Sequence, residues 1–240
     1  MELDIQNLFH KIEKAQLQTE PFDHLVIDGF LPSIFFKELA RELEVEDFPN
    51  NYTRAPYGNK ERFGVDITDY CSWKASGRRI LTTIDEKNYN SISSKDTNKH
   101  IRLFIDLLLK NQKHFYSLLA SRLPTERNQD NYFFHINMTK DGIGYRIEPH
   151  PDDKHNIFTI LFYTPETDEN KQFGLHVYKD KQGRPAMGKE IHFMPNRMVI
   201  FAPSLPNSSR PATWHEVRRL SSNLVGTRNS FQMFFYKNSN

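Results

Sequence analysis

Hydrophobic positions recur at helical spacing in the first half of the chain and at strand spacing in the second. Over residues 1–18, Leu3, Ile5, Leu8, Phe9 and Ile12 fall near a 3.6-residue period and predict an amphipathic helix. "FDHLVIDGFLP" (22–32) reads as a strand closed by Gly29 and Pro32. "SIFFKELARELE" (33–44) reads as a helix with Ser33 as its cap. Over 98–122, Ile101, Phe104, Ile105 and Leu108 mark one helix face, Phe115, Leu118 and Leu119 continue it, and Pro124 closes it. Such a stripe suits a support helix facing a core. From 132 onward the elements are short: "NYFFHINM", "IFTILFYT", "FGLHVYKD", "KEIHFM", "RMVIFAP", "TWHEVRRL" and "NSFQMFFYK". Strands of this length separated by turn signals predict an antiparallel sandwich, barrel or jelly roll. "KDKQGRPAMGK" (179–189) reads as a long hairpin turn. The expected architecture is one α+β domain over 1–240. Residues 1–131 supply helices, a first strand and an insert, and residues 132–240 the all-β half.

Residues 47–97 follow neither period. They are polar and turn-rich, with one strand-like piece, "RRILTTI" (78–84). Within them Tyr52, Tyr57, Phe63, Tyr70 and Trp73 alternate with Arg54, Lys60, Arg62 and Lys74. Aromatics mixed with cations can stack on and pair with an organic molecule, so about residues 50–75 are expected to close over a site and select its substrate.

Composition removes several classes of function. At 38% hydrophobic and 13% aromatic residues, the chain can bury a sizeable core. A net charge of +2, with both signs dispersed, argues against strong affinity for nucleic acid or an anionic membrane. No apolar run reaches the length of a membrane span. The opening "MELDIQNLFHKIEKAQ" lacks a basic-then-apolar leader, and a single cysteine, Cys71, excludes a disulfide within the chain. A cytoplasmic protein is the expectation.

Candidate chemistry begins in "RIEPHPDDKHNIFTILFYTP" (146–165), where His150 and Asp152 stand two apart before an apolar run. In a strand such residues share a face, so an imidazole and a carboxylate can reach one point. A polar turn explains "HPDDKHN" equally well on its own. His215 in "TWHEV", 65 residues further on, is a third candidate ligand. Two histidines and a carboxylate on one face leave open coordination positions, which suits Fe(II) better than a closed structural zinc site. "GTRNSFQMFFYK" then places Arg228 and Ser230 two apart at the head of the last strand, with Gln232 and Phe234 continuing that face. An arginine inside a β core needs an anion, and a ligand carboxylate would serve.

The ordered set "PHPDDKHNIFTILFYTP…FGLHVY…MVIFAP…TWHEV…GTRNSFQMFFY", over about residues 132–237, resembles the prolyl-hydroxylase-like branch of the iron(II)/2-oxoglutarate-dependent dioxygenases. The resemblance implies a double-stranded β-helix core, or jelly roll, with helices packed on one side. It implies His150, Asp152 and His215 as iron ligands, and Arg228 as the partner of the 2-oxoglutarate distal carboxylate, with Ser230 beside it. Tyr163, on one face with Thr159 and Leu161, would help hold the cosubstrate, and Tyr145 would line the same pocket. It further implies a metal-binding oxidoreductase that couples O2 and 2-oxoglutarate to hydroxylation of an unactivated C–H bond, with ascorbate as an auxiliary reductant. The substrate would be an amino acid, a peptidyl side chain or a natural-product intermediate. Desaturation or ring formation is open to the same site. The His215–Arg228 spacing is longer than usual for this branch because "RLSSNLV" intervenes, which leaves Arg218 and Arg219 as rivals. Asp153, His155, His176 and His192 are rival ligands. The other reading is a non-oxidative cupin-type jelly roll, an isomerase or sugar-binding module that uses the metal alone.

Overall fold

Asp4 sets the start of the first helix: its carboxylate accepts from the Gln6 and Asn7 amides and caps α1 (Ile5–Lys14). The computed structural model describes residues 3–45, 62–66, 99–125 and 132–237. Helix α1 ends earlier than its periodicity suggested, because Ala15 turns extended and Leu17–Gln18 pairs as strand β1 with β2 (His24–Ile27). Helix α2 (Ser33–Val45) follows, and β3 (Arg62–Asp66) lies on a sheet edge. The helix expected over 98–122 is two helices, α3 (Lys99–Lys110) and α4 (Gln112–Arg122). Asn111 leaves helical geometry between them and returns its side-chain amide to the Leu107 carbonyl. Among the described residues no helix is long and apolar enough to cross a membrane.

Eight strands follow: β4 (Tyr132–Asp141), β5 (Ile147–His150), β6 (Asn156–Tyr163), β7 (Leu175–Asp180), β8 (Pro185–Ile191), β9 (Arg197–Phe201), β10 (Trp214–Val217) and β11 (Arg228–Lys237). They divide between a larger sheet ordered β1-β2-β9-β6-β11-β4-β3 and a smaller one ordered β5-β10-β7-β8. Every pairing is antiparallel, and the chain passes repeatedly from one sheet to the other. That is a double-stranded β-helix with helices on one side, as expected. One strand more appears than the pattern suggested. The four residues of β5 are too few to show a period, and half of the supposed 179–189 turn is β8. The turn itself is tight, with Gln182 and Gly183 at positive φ. The strand read at 78–84 lies outside the described residues, as does all of the expected lid except 62–66.

Strand β6, central in the larger sheet, is buried on both faces, which explains why it reads as an almost unbroken apolar run. Phe158, Ile160 and Phe162 of β6 point to the helices with Phe231, Met233 and Phe235 of β11. There Phe162 meets Phe30, Phe36, Phe104 and Phe231 in edge or tilted contacts. Each ring so buried contributes roughly 1.5–3 kcal/mol, so this layer fixes the sheet against α2 and α3. The alternate residues Thr159, Leu161, Tyr163, Ser230 and Gln232 face the smaller sheet, and the candidate site lies between the two sheets.

Candidate active site

His150 and His215 are directly opposite each other across the β5–β10 pair, with ring centroids 4.4 Å apart. The pairing converts a separation of 65 residues into adjacency. Asp152 joins them by another route than the sequence suggested. Strand β5 ends at His150, and Asp152 projects from the loop that follows Pro151, which has no amide hydrogen with which to continue the ladder. Its Oδ1 lies 3.5 Å from His215 Nε2. Among the described residues, His150, Asp152 and His215 are the one group of three ligand-type side chains whose donor atoms all lie within 4.8 Å of one another.

The tautomers suit metal binding. His150 Nδ1 donates to the Glu148 carbonyl at 2.8 Å, and His215 Nδ1 donates to the Thr213 carbonyl at 2.9 Å. A carbonyl only accepts, so each Nδ1 carries the proton and each Nε2 presents a lone pair. The carboxylate is oriented too. Thr159 Oγ1 donates to Asp152 Oδ2, and Asn156 Nδ2 donates to Thr159 Oγ1 at 2.7 Å. Thr159, expected to share the cosubstrate face with Tyr163, has its hydroxyl on the candidate ligand Asp152. Thr159→Val should therefore weaken metal binding by about 10–100-fold, the usual effect of losing an outer partner of a ligand. Cobalt(II) titration of wild type and variant measures this, and equal affinities would exclude an orienting role for the hydroxyl.

Charge in the triad is arranged for a cation. Burial alone would raise the Asp152 pKa, but the His215 imidazole, the Thr159 hydroxyl and His150 hold it below the ordinary carboxylate value. Burial would lower His215, but Asp152 and the Thr213 carbonyl reverse this and lift it above the ordinary histidine value. A metal ion must displace the proton held on His215. Metal affinity should therefore rise with pH up to that raised pKa and level off above it, falling about tenfold per unit below it. Cobalt(II) titrations across this range test the dependence. A profile flat down to the ordinary histidine pKa would contradict it.

Further along the inner face of the larger sheet, from Tyr163 and Ser230 to Arg228, polar side chains gather. Arg228 and Asp141, 1% and 0% exposed, pair across β11 and β4 with Nη1 to Oδ2 at 2.8 Å. Arg228 Nε donates to the Phe173 carbonyl at 2.7 Å, and Cζ lies 5.4 Å and 5.3 Å from the Tyr163 and Phe193 ring centroids. Gly174, next to Phe173, lets the Ile191–Phe193 backbone pass close by, since a Cβ there would stand 1.9 Å from the Ile191 carbonyl oxygen. Ser230 Oγ and Thr139 Oγ1 are 2.9 Å apart. Tyr145 and Tyr163 are fully buried in the same cluster. Burial raises the Tyr163 pKa, and the Arg228 cation offsets part of that. The Tyr163 hydroxyl makes no hydrogen bond. Arg218 and Arg219 are exposed, which removes both as the buried cation. Asp153 is exposed and receives the His155 amide, His192 is exposed, and His176 pairs with Glu190 at 3.8 Å; none belongs to the triad.

In the other direction along β11, past Thr159, the residues are aromatic. Phe234 is the register partner of Thr159 and His135, and Tyr236 that of Phe133. The Phe234–Tyr236 and Tyr236–Phe133 centroids are 5.5 and 5.3 Å apart, and Phe133, Phe234 and Tyr236 are half-buried. Asp141, Asn156, Phe133 and Tyr236 escaped the sequence reading, which placed only Phe234 of this row on the inner face. Only the two-residue alternation of β4 and β11 could have signalled the row. Asp141 ends β4, opposite Arg228 in a register that no local pattern reveals.

The residues present fit Fe(II) and a carboxylate ligand: two Nε2 lone pairs and one oriented carboxylate lie together, and a buried guanidinium and a buried phenol hydroxyl without a hydrogen-bond partner stand between the same two sheets. No protein-family model matches the sequence, and no curated protein is significantly similar to it. Solved structures are. The chain is similar to a Pseudomonas putida prolyl-4-hydroxylase, with a TM-score of 0.52 at 13% identity, covering 97% of this chain and 100% of that one. It is also similar to a prolyl hydroxylase from Trichoplax adhaerens in complex with a hypoxia inducible factor oxygen degradation domain peptide fragment. There the TM-score is 0.56 at 15% identity, covering 97% of this chain and 91% of that one. The fold is thus that of the prolyl-hydroxylase-like 2-oxoglutarate/Fe(II) oxygenases.

Proposed function

We propose that this chain is an Fe(II)- and 2-oxoglutarate-dependent oxygenase that hydroxylates a C–H bond of a small molecule or a peptidyl side chain. The triad carries the proposal: His150, Asp152 and His215 present three donors from one side and leave the remaining positions of an ion open. The bound iron would supply the O2-dependent oxidation, with 2-oxoglutarate converted to succinate and CO2. The protein's part is to hold and orient. The Glu148 and Thr213 carbonyls fix the two imidazoles, and Thr159 fixes the carboxylate. Arg228 and the Tyr163 hydroxyl, both buried, are the groups to which a cosubstrate carboxylate would bind. The half-buried ring row of Phe133, Phe234 and Tyr236 would exclude water and contact the substrate. That a similar structure holds a peptide keeps a peptidyl substrate among the candidates.

A second reading rests on one observation. Arg228 already has a carboxylate partner in Asp141, so its burial does not require a cosubstrate. A non-oxidative metal-binding jelly roll would look like this. Incubation with Fe(II), ascorbate, 2-oxoglutarate and pooled amino acids and peptides separates the two. A mass gain of one oxygen on a pool member, dependent on 2-oxoglutarate, supports the oxygenase; metal binding with no such product supports the second reading.

A further inference from the structure

Counted along an ideal strand from Thr159, residue 156 of β6 belongs on the helix side of the larger sheet. It does not stand there. Phe235 pairs with Phe158 and Tyr236 with Asn156, so β6 carries one extra residue, Ile157, between the two pairs. Ile157 and Phe158 both lie in the core shared with the helices. The bulge turns Asn156 to the inner face with Thr159, three residues further on, and the partners of these two on β11 are Tyr236 and Phe234. A bulge that re-aims one side chain beside a site is a specific feature of a strand rather than a fault in it.

The hydrogen bonds show what the re-aimed amide does. Asn156 and Thr159 are 1% and 2% exposed. Asn156 Nδ2 donates to Thr159 Oγ1 at 2.7 Å, and Thr159 Oγ1 donates to Asp152 Oδ2. A threonine hydroxyl has one hydrogen, and a carboxylate only accepts. That hydrogen therefore lies between Thr159 and Asp152, and the group on the other side of the hydroxyl has to be a donor. The Asn156 amide meets this requirement, whereas an acceptor in its place would compete for the same hydrogen. With Oδ2 engaged, Asp152 Oδ1 lies 3.5 Å from His215 Nε2. We propose that Asn156 is a positioning residue of the triad: turned inward by the β6 bulge, it directs the Thr159 hydroxyl onto Asp152 and so aims the carboxylate at the ion. This rests on the reading of the triad as a metal site. The other role open to a buried asparagine is to tie the start of β6 to its surroundings, which would stabilise the fold without acting through Thr159.

A double-mutant cycle on the full chain, read by cobalt(II) titration, separates the two roles. Asn156→Leu should weaken cobalt(II) binding by about 3–10-fold, less than loss of the hydroxyl that touches the ligand. In the Thr159→Val background the same substitution should change affinity by less than about twofold, because the group through which it acts is gone. The visible spectrum of the cobalt(II)-loaded Asn156→Leu protein should shift from that of wild type toward that of Thr159→Val, a change that a loss of fold stability alone does not produce. Wild-type affinity in Asn156→Leu, or equal losses in both backgrounds, overturns the proposal. Should Asn156→Leu not fold, Asn156→Ser, whose side chain is too short to reach Thr159, gives the same cycle with the same two outcomes. Failure of wild type to bind cobalt(II) would remove the metal reading, and this proposal with it.

Discussion

Arg228→Ala should lower the free energy of unfolding by about 3–5 kcal/mol and remove measurable 2-oxoglutarate binding while leaving metal binding nearly intact. The first effect follows from burial. Asp141 is 0% exposed and would lose its buried ion-pair partner, the Phe173 carbonyl would lose its donor, and the Tyr163 and Phe193 rings would border a void. Two kinds of control separate the effects. Replacing Arg228 and Asp141 together by leucine should recover much of the stability, because an apolar pair carries no desolvation penalty, but should not recover binding. Arg218→Ala and Arg219→Ala should change neither property, since both side chains are exposed. Urea denaturation and calorimetry on these four proteins measure stability and affinity separately. If Arg228→Ala kept full 2-oxoglutarate affinity, Arg228 would not be the carboxylate site.

His215→Ala should reduce Fe(II) affinity by more than the roughly 100-fold that marks the upper range for losing an outer partner, because a donor to the ion itself is lost. His215 is 6% exposed, so solvent has little access through which to replace the missing donor. The substitution also removes the partner that holds the Asp152 carboxylate ionised. His150→Ala and Asp152→Ala should have effects of similar size. Asp153→Ala and His155→Ala, which alter neighbouring residues of the same loop outside the triad, should leave the affinity unchanged. Anaerobic Fe(II) titration tests all five. A His215→Ala protein that bound iron normally would take that residue out of the site.

The sequence shows some parts of this arrangement and conceals others, for physical reasons. The jelly roll is legible because a sheet buried on both faces writes apolar runs such as β6, and turn residues separate them. The identity of the triad is legible through residue type and order, whereas its geometry is not. Same-face alternation within one strand was the argument for pairing His150 with Asp152, yet the strand stops at His150 and the loop after Pro151 brings Asp152 round. The partner of Arg228 was read as a ligand because an arginine in a β core requires an anion. Asp141 meets that requirement from 87 residues away, across a strand register fixed only in the folded sheet. Thr159 shows the same limit: alternation places it correctly on the inner face with Leu161 and Tyr163, but only three dimensions show its hydroxyl on Asp152.

The central claim is that the triad and the polar cluster around Arg228 serve one O2-dependent reaction of 2-oxoglutarate. The most direct measurement is succinate formed from 2-oxoglutarate by the Fe(II)-loaded protein, with and without O2, in wild type and in Asp152→Ala. The expected result is succinate that requires both oxygen and Asp152, formed slowly even without an added substrate. Wild-type protein that binds Fe(II) and 2-oxoglutarate yet forms no succinate in oxygen, with or without the amino-acid and peptide pools, would contradict the claim.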